Sequence, residues 1–243
     1  MILPIVDPFS QPFEVWTTRD ATQEEMLEDF RRTGTMYART NDRLIATVTN
    51  GFEAAIYMAK VGADGALGNH VNNALDCDHN YNQWRLAMPR ATPPGLKKYK
   101  SSYPHYDAYE VNKEINEFGR YLPPGQVLFH AGVWLGGTSL VTDRPLSTSL
   151  CPQVALRNAD HNGKAYEAGR IDLLVIRVAE SATKAFAYKR KGMALGHENE
   201  VVFAAGASLS WFSETLVRKD YPAGKAFHDG KHVPAYVLEI DLT

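Results

Sequence analysis

Two carboxylates stand one residue apart in GHENEVVFAAG, where Glu198 and Glu200 precede a short apolar run that predicts a buried strand. A carboxylate entering a core costs free energy unless it is paired or has a task. Two further stretches carry side chains able to do chemistry. His130 lies in LFHAGVW, a predicted strand followed by Gly132, and PLSTSL brings Ser147, Thr148 and Ser149 together. Singly, each has a plain structural explanation: a satisfied core histidine, a turn or helix cap, a solvated loop glutamate. Their order along one chain, closed by the alternating strand AYVLEIDL, favours a joint functional reading.

Other candidate constellations are weaker. Asp76, Asp78 and Asn80 in DCDHNY imitate the start of a calcium loop, but Tyr81 stands where its glycine belongs and Ala87 where its glutamate belongs. No metal is expected. Cys151 lacks any local signature of a thiol nucleophile and reads as a small buried residue beside a turn. Gly136-Gly137 predicts a tight turn, because no phosphate-loop pattern follows it. Trp84, Trp134 and Trp211 are expected in the core.

The elements that must position these residues change character along the chain. Thr22 and Glu25 form a capping box ahead of Met26, Leu27 and Phe30, which share a helical face. GFEAAIYMAK repeats the spacing at Phe52, Ala55, Ile56 and Ala59. The proline-rich, basic tract MPRATPPGLKKYK predicts a loop or linker closing a mostly helical first hundred residues. A further helix in DAYEVNKEINEFGR has Asp107 as N-cap, an apolar stripe at Val111, Ile115, Phe118 and Leu122, and Gly119 as its stop. Strands follow in QVLFHAGVW, IDLLVIRV, EVVFAA and AYVLEIDL. Helices first and strands later indicate an α+β fold.

Bulk properties set the class. The chain has 243 residues, 44% hydrophobic and 22% charged, which describes a globular protein. A formal charge of -2 gives no electrostatic reason to expect a nucleic-acid or membrane surface, although Lys97, Lys98 and Lys100 make a local basic patch. Two cysteines, without zinc-like spacing or a disulfide framework, point to a reducing workplace. MILPIVDPFSQPF has neither the basic nor the long apolar region of a secretory signal, and no apolar run is long enough to span a bilayer. A cytoplasm is expected.

The motif order resembles the mono-ADP-ribosyltransferases of the arginine-serine-glutamate class. Their pattern is a strand ending in arginine, a strand with Ser-Thr-Ser, then Glu-x-Glu or Gln-x-Glu opening a strand. The resemblance covers roughly residues 109–243 and none of the first hundred. It implies two packed, mainly antiparallel sheets around an NAD cleft in residues 101–243, with residues 1–100 a helical extension. It also implies Glu200 as the catalytic glutamate, holding the nicotinamide ribose and favouring an oxocarbenium-like state, and Glu198 as the group that orients or deprotonates the attacker. Residues two apart in extended backbone face one side, so both carboxylates can share a cleft. Mutual repulsion then suits one as stabiliser and the other as base.

By the same resemblance Ser147, Thr148 and Ser149 brace the NAD site, with Ser147 hydrogen-bonding Glu200, and YKRKGMALGH is the acceptor loop, given freedom by Gly192 and Gly196. The family arginine is replaced by His130, beside Ala131 and Gly132. A neutral imidazole lacks the bidentate grip of a guanidinium on phosphate, so Arg144 or Arg157 is expected to help, whereas Arg120 precedes the strand. NAD is the implied co-substrate, and a target-protein arginine the implied acceptor. Net charge neither supports nor excludes a nucleic-acid acceptor. The alternatives are an NAD glycohydrolase and an inactive binding module of the same fold. The N-terminal helices would bind the target, bind an immunity or chaperone partner, or cover the sheet.

Overall fold

A computed structural model describes residues 1–134, 137–190 and 196–243, with the side chain of His197 left out. The chain runs β1 (Phe13–Asp20), α1 (Gln23–Thr33), β2 (Arg39–Val48), then helices α2 (Gly51–Val61), α3 (Gly65–Cys77), α4 (His79–Ala87), α5 (Pro94–Ser102) and α6 (Ala108–Phe118). There follow β3 (Arg120–Tyr121), β4 (Val127–Ala131), β5 (Ser139–Val141), β6 (Leu146–Ser149), α7 (Pro152–Asp160) and α8 (Lys164–Ala168). The last strands are β7 (Ile171–Val178), β8 (Lys184–Ala187), β9 (Glu200–Phe203), β10 (Ser208–Ala223) and β11 (Lys231–Leu242). Helices gather early and strands late, so the fold is α+β.

Hydrogen bonds join nine strands in the order β3-β8-β9-β6-β4-β7-β11-β10-β5. Neighbours are antiparallel except β7 and β11, which run parallel. At the middle the ladder narrows to one pair, Phe129 opposite Ser149. The two expected sheets are therefore β3-β8-β9-β6 and β4-β7-β11-β10-β5, hinged at that pair. β7 is buried along nearly its whole length because neighbours pair with it on both edges and helices lie against it. The long β10–β11 hairpin contains three register shifts, which bend it.

The helix at 108–118 forms as its signals predict. Asp107 accepts hydrogen bonds from the Tyr109 and Glu110 amides, and Gly119 N–H closes the end on Ile115 O. Gly119 is demanded by space: a Cβ there would stand 2.5 Å from Ile115 O and 2.8 Å from Ala185 O. The capping box of Thr22 and Glu25 is also present.

Several expectations are corrected. The first hundred residues include an antiparallel ribbon, β1 with β2, flanking α1. The apolar stripe of α1 enters no core: Leu27 is 47% and Phe30 49% exposed. Trp84 is fully buried, but Trp211 lies on the surface at 42% exposure. The tract expected to be a linker contains α5. Its Pro94 occupies the first turn, where the missing N–H costs nothing. The amides of Gly95 and Leu96 donate to the Glu114 carboxylate of α6 at 2.9 and 2.7 Å, and Tyr188 O–H donates to Leu96 O at 2.7 Å. The cap comes from a distant element.

Asp76, Asp78 and Asn80 have separate structural tasks. Asp76 pairs with Arg190, Asp78 caps α4, and Asn80 donates to Ile5 O. One apolar core draws on residues from Leu3 to Leu242. No helix among the described residues is long and apolar enough to cross a membrane.

Glu114 is buried and holds two amides with a charge-assisted bond each. Glu114→Ala should lower the unfolding free energy by about 1.5–3 kcal/mol, read from urea denaturation. An unchanged midpoint would show that α5 does not depend on this cap.

Candidate active site

The register of β6 against β9 builds the centre of the site. Ser147 faces Val202 and Ser149 faces Glu200 across an antiparallel ladder. Ser147 and Glu200 are thus diagonal neighbours on one side. Ser147 Oγ donates to Glu200 Oε1 at 2.7 Å. Thr148 and Ser149 are buried and brace backbone instead: Thr148 Oγ1 donates to Val201 O at 2.7 Å, and Ser149 Oγ to Glu198 O at 2.6 Å.

The two glutamates meet for a reason other than strand alternation. Glu198 ends a turn of 3-10 helix, Gly196–Glu198, and Asn199 follows at φ 49°, before β9 begins at Glu200. Asparagine tolerates this left-handed conformation better than most residues. Asn199 Nδ2 donates to Asn72 Oδ1 of α3 at 3.0 Å, and Arg190 Nη2 donates to the same oxygen at 2.9 Å. A Cβ on Gly196 would stand 1.8 Å from Arg190 O, so the close approach of these two residues leaves room only for glycine. Gly192 and the rest of 191–195 in the expected acceptor loop lie outside the described residues, as does Gly136 of the expected turn.

Lys100, from the C-terminal turn of α5, lies between the carboxylates. Its Nζ is 2.9 Å from Glu200 Oε2 and 3.2 Å from Glu198 Oε2, and it stands 4.7 Å from the Tyr188 ring centroid. The lysine side chain is only 4% exposed, against 24% for Glu198 and 11% for Glu200. The two negative charges therefore share an internal cation. Burial, followed by the Glu200 charge, pushes the Tyr99 and Tyr188 hydroxyls well above the ordinary tyrosine value, so both are neutral donors. Tyr99 packs edge-on against Tyr106, whose ring stacks with Tyr103.

His130 ends up tied to β6. Its Nδ1 donates to Ser147 O at 2.7 Å, which fixes the tautomer because a carbonyl only accepts. Nε2 keeps its lone pair and lies alongside Gly132. Burial holds the imidazole below the ordinary histidine value; the bond to Ser147 opposes this, and the positive charges of Lys164 and Arg144 add to it. Of the three arginines, Arg144 is the one that reaches His130 electrostatically, alongside Lys164, whereas Arg157 acts on the buried Cys151 thiol, and Arg120 is occupied by Phe118 O and Gly119 O.

Ala131 and Gly132, beyond His130, line a cavity of about 390 Å³ with Asn158, Asn162, Lys164 and Asp172. None of Ser147, Glu198 and Glu200 lines it, so the hollow and the carboxylates are separate parts of one region linked by β4 and His130. Asp172 is buried and spent on Arg170 and the Trp134 amide. Among the described residues no cluster of His, Cys, Asp and Glu is arranged to hold a metal ion.

The residues brought together are Ser147, Glu198, Glu200 and His130, with Thr148 and Ser149 behind them. Lys100, Tyr99, Asn72 and Arg190 were not foreseen in these roles. Lys100 is visible in the sequence only as part of the basic patch with Lys97 and Lys98.

The chain matches no protein-family model and no curated protein. Its fold is similar to solved ADP-ribosyltransferase structures. C2-I, the enzymatic component of the Clostridium botulinum C2 toxin, is 12% identical at a TM-score of 0.39, over 66% of this chain and 45% of that one. The Vis toxin of Vibrio splendidus is 12% identical at 0.32, over 93% and 88%. C3larvin of Paenibacillus larvae is 10% identical at 0.37, over 68% and 94%. The chain thus matches less than half the length of C2-I.

The depressed His130 makes stability pH-dependent. As pH falls through the ordinary histidine range, the unfolded chain takes up a proton that the folded site resists, so stability is lost with acidification. His130→Asn retains a donor near Ser147 O without titrating. Urea unfolding at pH 7 and pH 5 should show a smaller loss for the variant than for wild type, and equal losses would contradict this account.

Proposed function

We propose that this chain is an NAD-dependent mono-ADP-ribosyltransferase that releases nicotinamide and transfers ADP-ribose to an arginine of a target protein. The observation that carries the reading is the hydrogen bond from Ser147 to Glu200, with the Glu198 carboxylate held beside it on the same cation. It unites the two motifs that the sequence pattern sets far apart.

Cleavage of the bond between nicotinamide and ribose sends the electron pair to the nicotinamide nitrogen and leaves positive charge on the sugar. A carboxylate fixed beside that charge lowers the barrier most effectively where water is scarce, and Glu200 is largely shielded. Ser147 holds one of its oxygens, so the carboxylate enters the reaction already oriented. Glu198, the more exposed of the two, accepts the proton that the guanidinium loses as its nitrogen bonds to the sugar carbon. Two products and one proton result.

The residues present suit NAD as co-substrate. Lys164 and Arg144 bring positive charge toward the region of His130, where the pyrophosphate would need it. His130 Nε2 and the backbone of Ala131 and Gly132 would face the adenosine side, and the cavity beyond them is large enough for part of a nucleotide. Residues 101–243 would form the catalytic unit and residues 1–100 an extension of helices and one β ribbon that contributes Asn72 and Lys100. A toxin, effector or phage enzyme acting in a cytoplasm, its own or one into which it is delivered, is the setting proposed.

Purified protein incubated with NAD should release nicotinamide, and a cell lysate should speed release and become labelled. Glu200→Gln should fall to near background, and Ser147→Ala should be slower by about tenfold to a hundredfold through misplacement of the carboxylate. Release without labelling would indicate a glycohydrolase. Absence of both release and NAD binding would leave only a binding module.

A further inference from the structure

We propose that Lys100 is a positioning residue, whose ammonium keeps Glu198 and Glu200 ionised together and fixes where their oxygens point. Its catalytic consequence rests on the ADP-ribosyl-transfer reading, while the charge arrangement rests on geometry alone.

Both carboxylates place their Oε2 atoms within 3.2 Å of one Nζ, so they are also close to each other. Two such charges, partly withdrawn from water, repel strongly, and without compensation one would take up a proton. A protonated Glu200 could not stabilise a cationic sugar, and a protonated Glu198 could not serve as base. The ammonium removes that conflict. It has three N–H groups, and the site offers three partners: two carboxylates and the face of Tyr188.

The lysine is also held in place. At 4% exposure it is no wandering surface cation, and a buried ammonium needs its partners as much as they need it. Its helix is clamped at the far end by Glu114 and by Tyr188 O–H on Leu96 O. Its place in the last turn of α5 suits a positive charge. The other groups facing the pair leave the task to Lys100. Tyr99 of α5 and Tyr188 beyond β8 are neutral, and Ser147 of β6 is a neutral donor. Tyr103 and Tyr106 add aromatic surface, and Glu114 of α6 is committed to the start of α5.

The test is a titration of the full chain carrying carbon-13 in its glutamate carboxyls, with the two signals assigned by Glu198→Gln and Glu200→Gln. In Lys100→Met, one of the two should titrate higher than in wild type by about one pH unit or more. The acid limb of the nicotinamide-release profile should move with it. Activity at pH 7 should drop about tenfold or more and recover as pH rises, with the KM for NAD nearly unchanged. If Lys100→Met does not fold by circular dichroism, Lys100→Gln takes its place.

Unchanged titration of both carboxyls in a folded variant would overturn the proposal even if wild type cleaves NAD. A shifted titration in a wild type that releases no nicotinamide would leave the positioning role standing and remove the transferase reading instead.

Discussion

The register of β6 against β9 is the constraint on which the rest of the site depends. It makes Ser147 and Glu200 diagonal neighbours, and it lets Thr148 and Ser149 hold the facing backbone at Val201 and Glu198. A slip of one residue would turn each side chain to the opposite face. Ser147 O would then be lost to His130, whose ring crosses from β4 to β6 close to where the ladder narrows to Phe129 and Ser149. The histidine thus adds a side-chain tie where backbone pairing is thinnest. One short strand sets the carboxylate, the imidazole and the spacing of two half-sheets.

Charge is balanced locally, although the chain as a whole is nearly neutral. Two carboxylates meet one ammonium, leaving a net negative site bordered by neutral tyrosines. Around His130 of β4 the sign is opposite, with Lys164 and Arg144 acting on the imidazole. Under the proposed function, negative and positive ends in one region would suit a dinucleotide whose reacting sugar becomes cationic while its pyrophosphate stays anionic. Neither end requires a large overall charge, which explains why the sum over the sequence is uninformative.

Much of the framework was legible because its signals are local. Asp107 and Gly119 bracket α6, Thr22 and Glu25 open α1, and the apolar run 171–178 became the buried strand β7. Errors arose where the deciding partner was distant. Pro93 and Pro94 look like a linker until Glu114 and Tyr188 supply acceptors and donors from other elements. Glu198 and Glu200 were expected to converge by strand alternation, but a helical turn and the left-handed Asn199 bring them together. Lys100 could not be matched to them in advance, because about a hundred residues separate it from both. Ribbon strands β1 and β2 did carry a local signal, in their valine, isoleucine and threonine content.

The origin of Lys100 and Asn72 in the first hundred residues has a consequence for how the chain can be divided. A fragment beginning at residue 101 would retain every motif residue, from His130 through Ser147 to Glu200. It would lose the shared cation, the amide that steadies Asn199, and part of the common apolar core. Such a piece would display the motifs without their electrostatic setting. Exchange of the N-terminal segment between related chains would therefore alter the chemistry as well as any surface that segment presents.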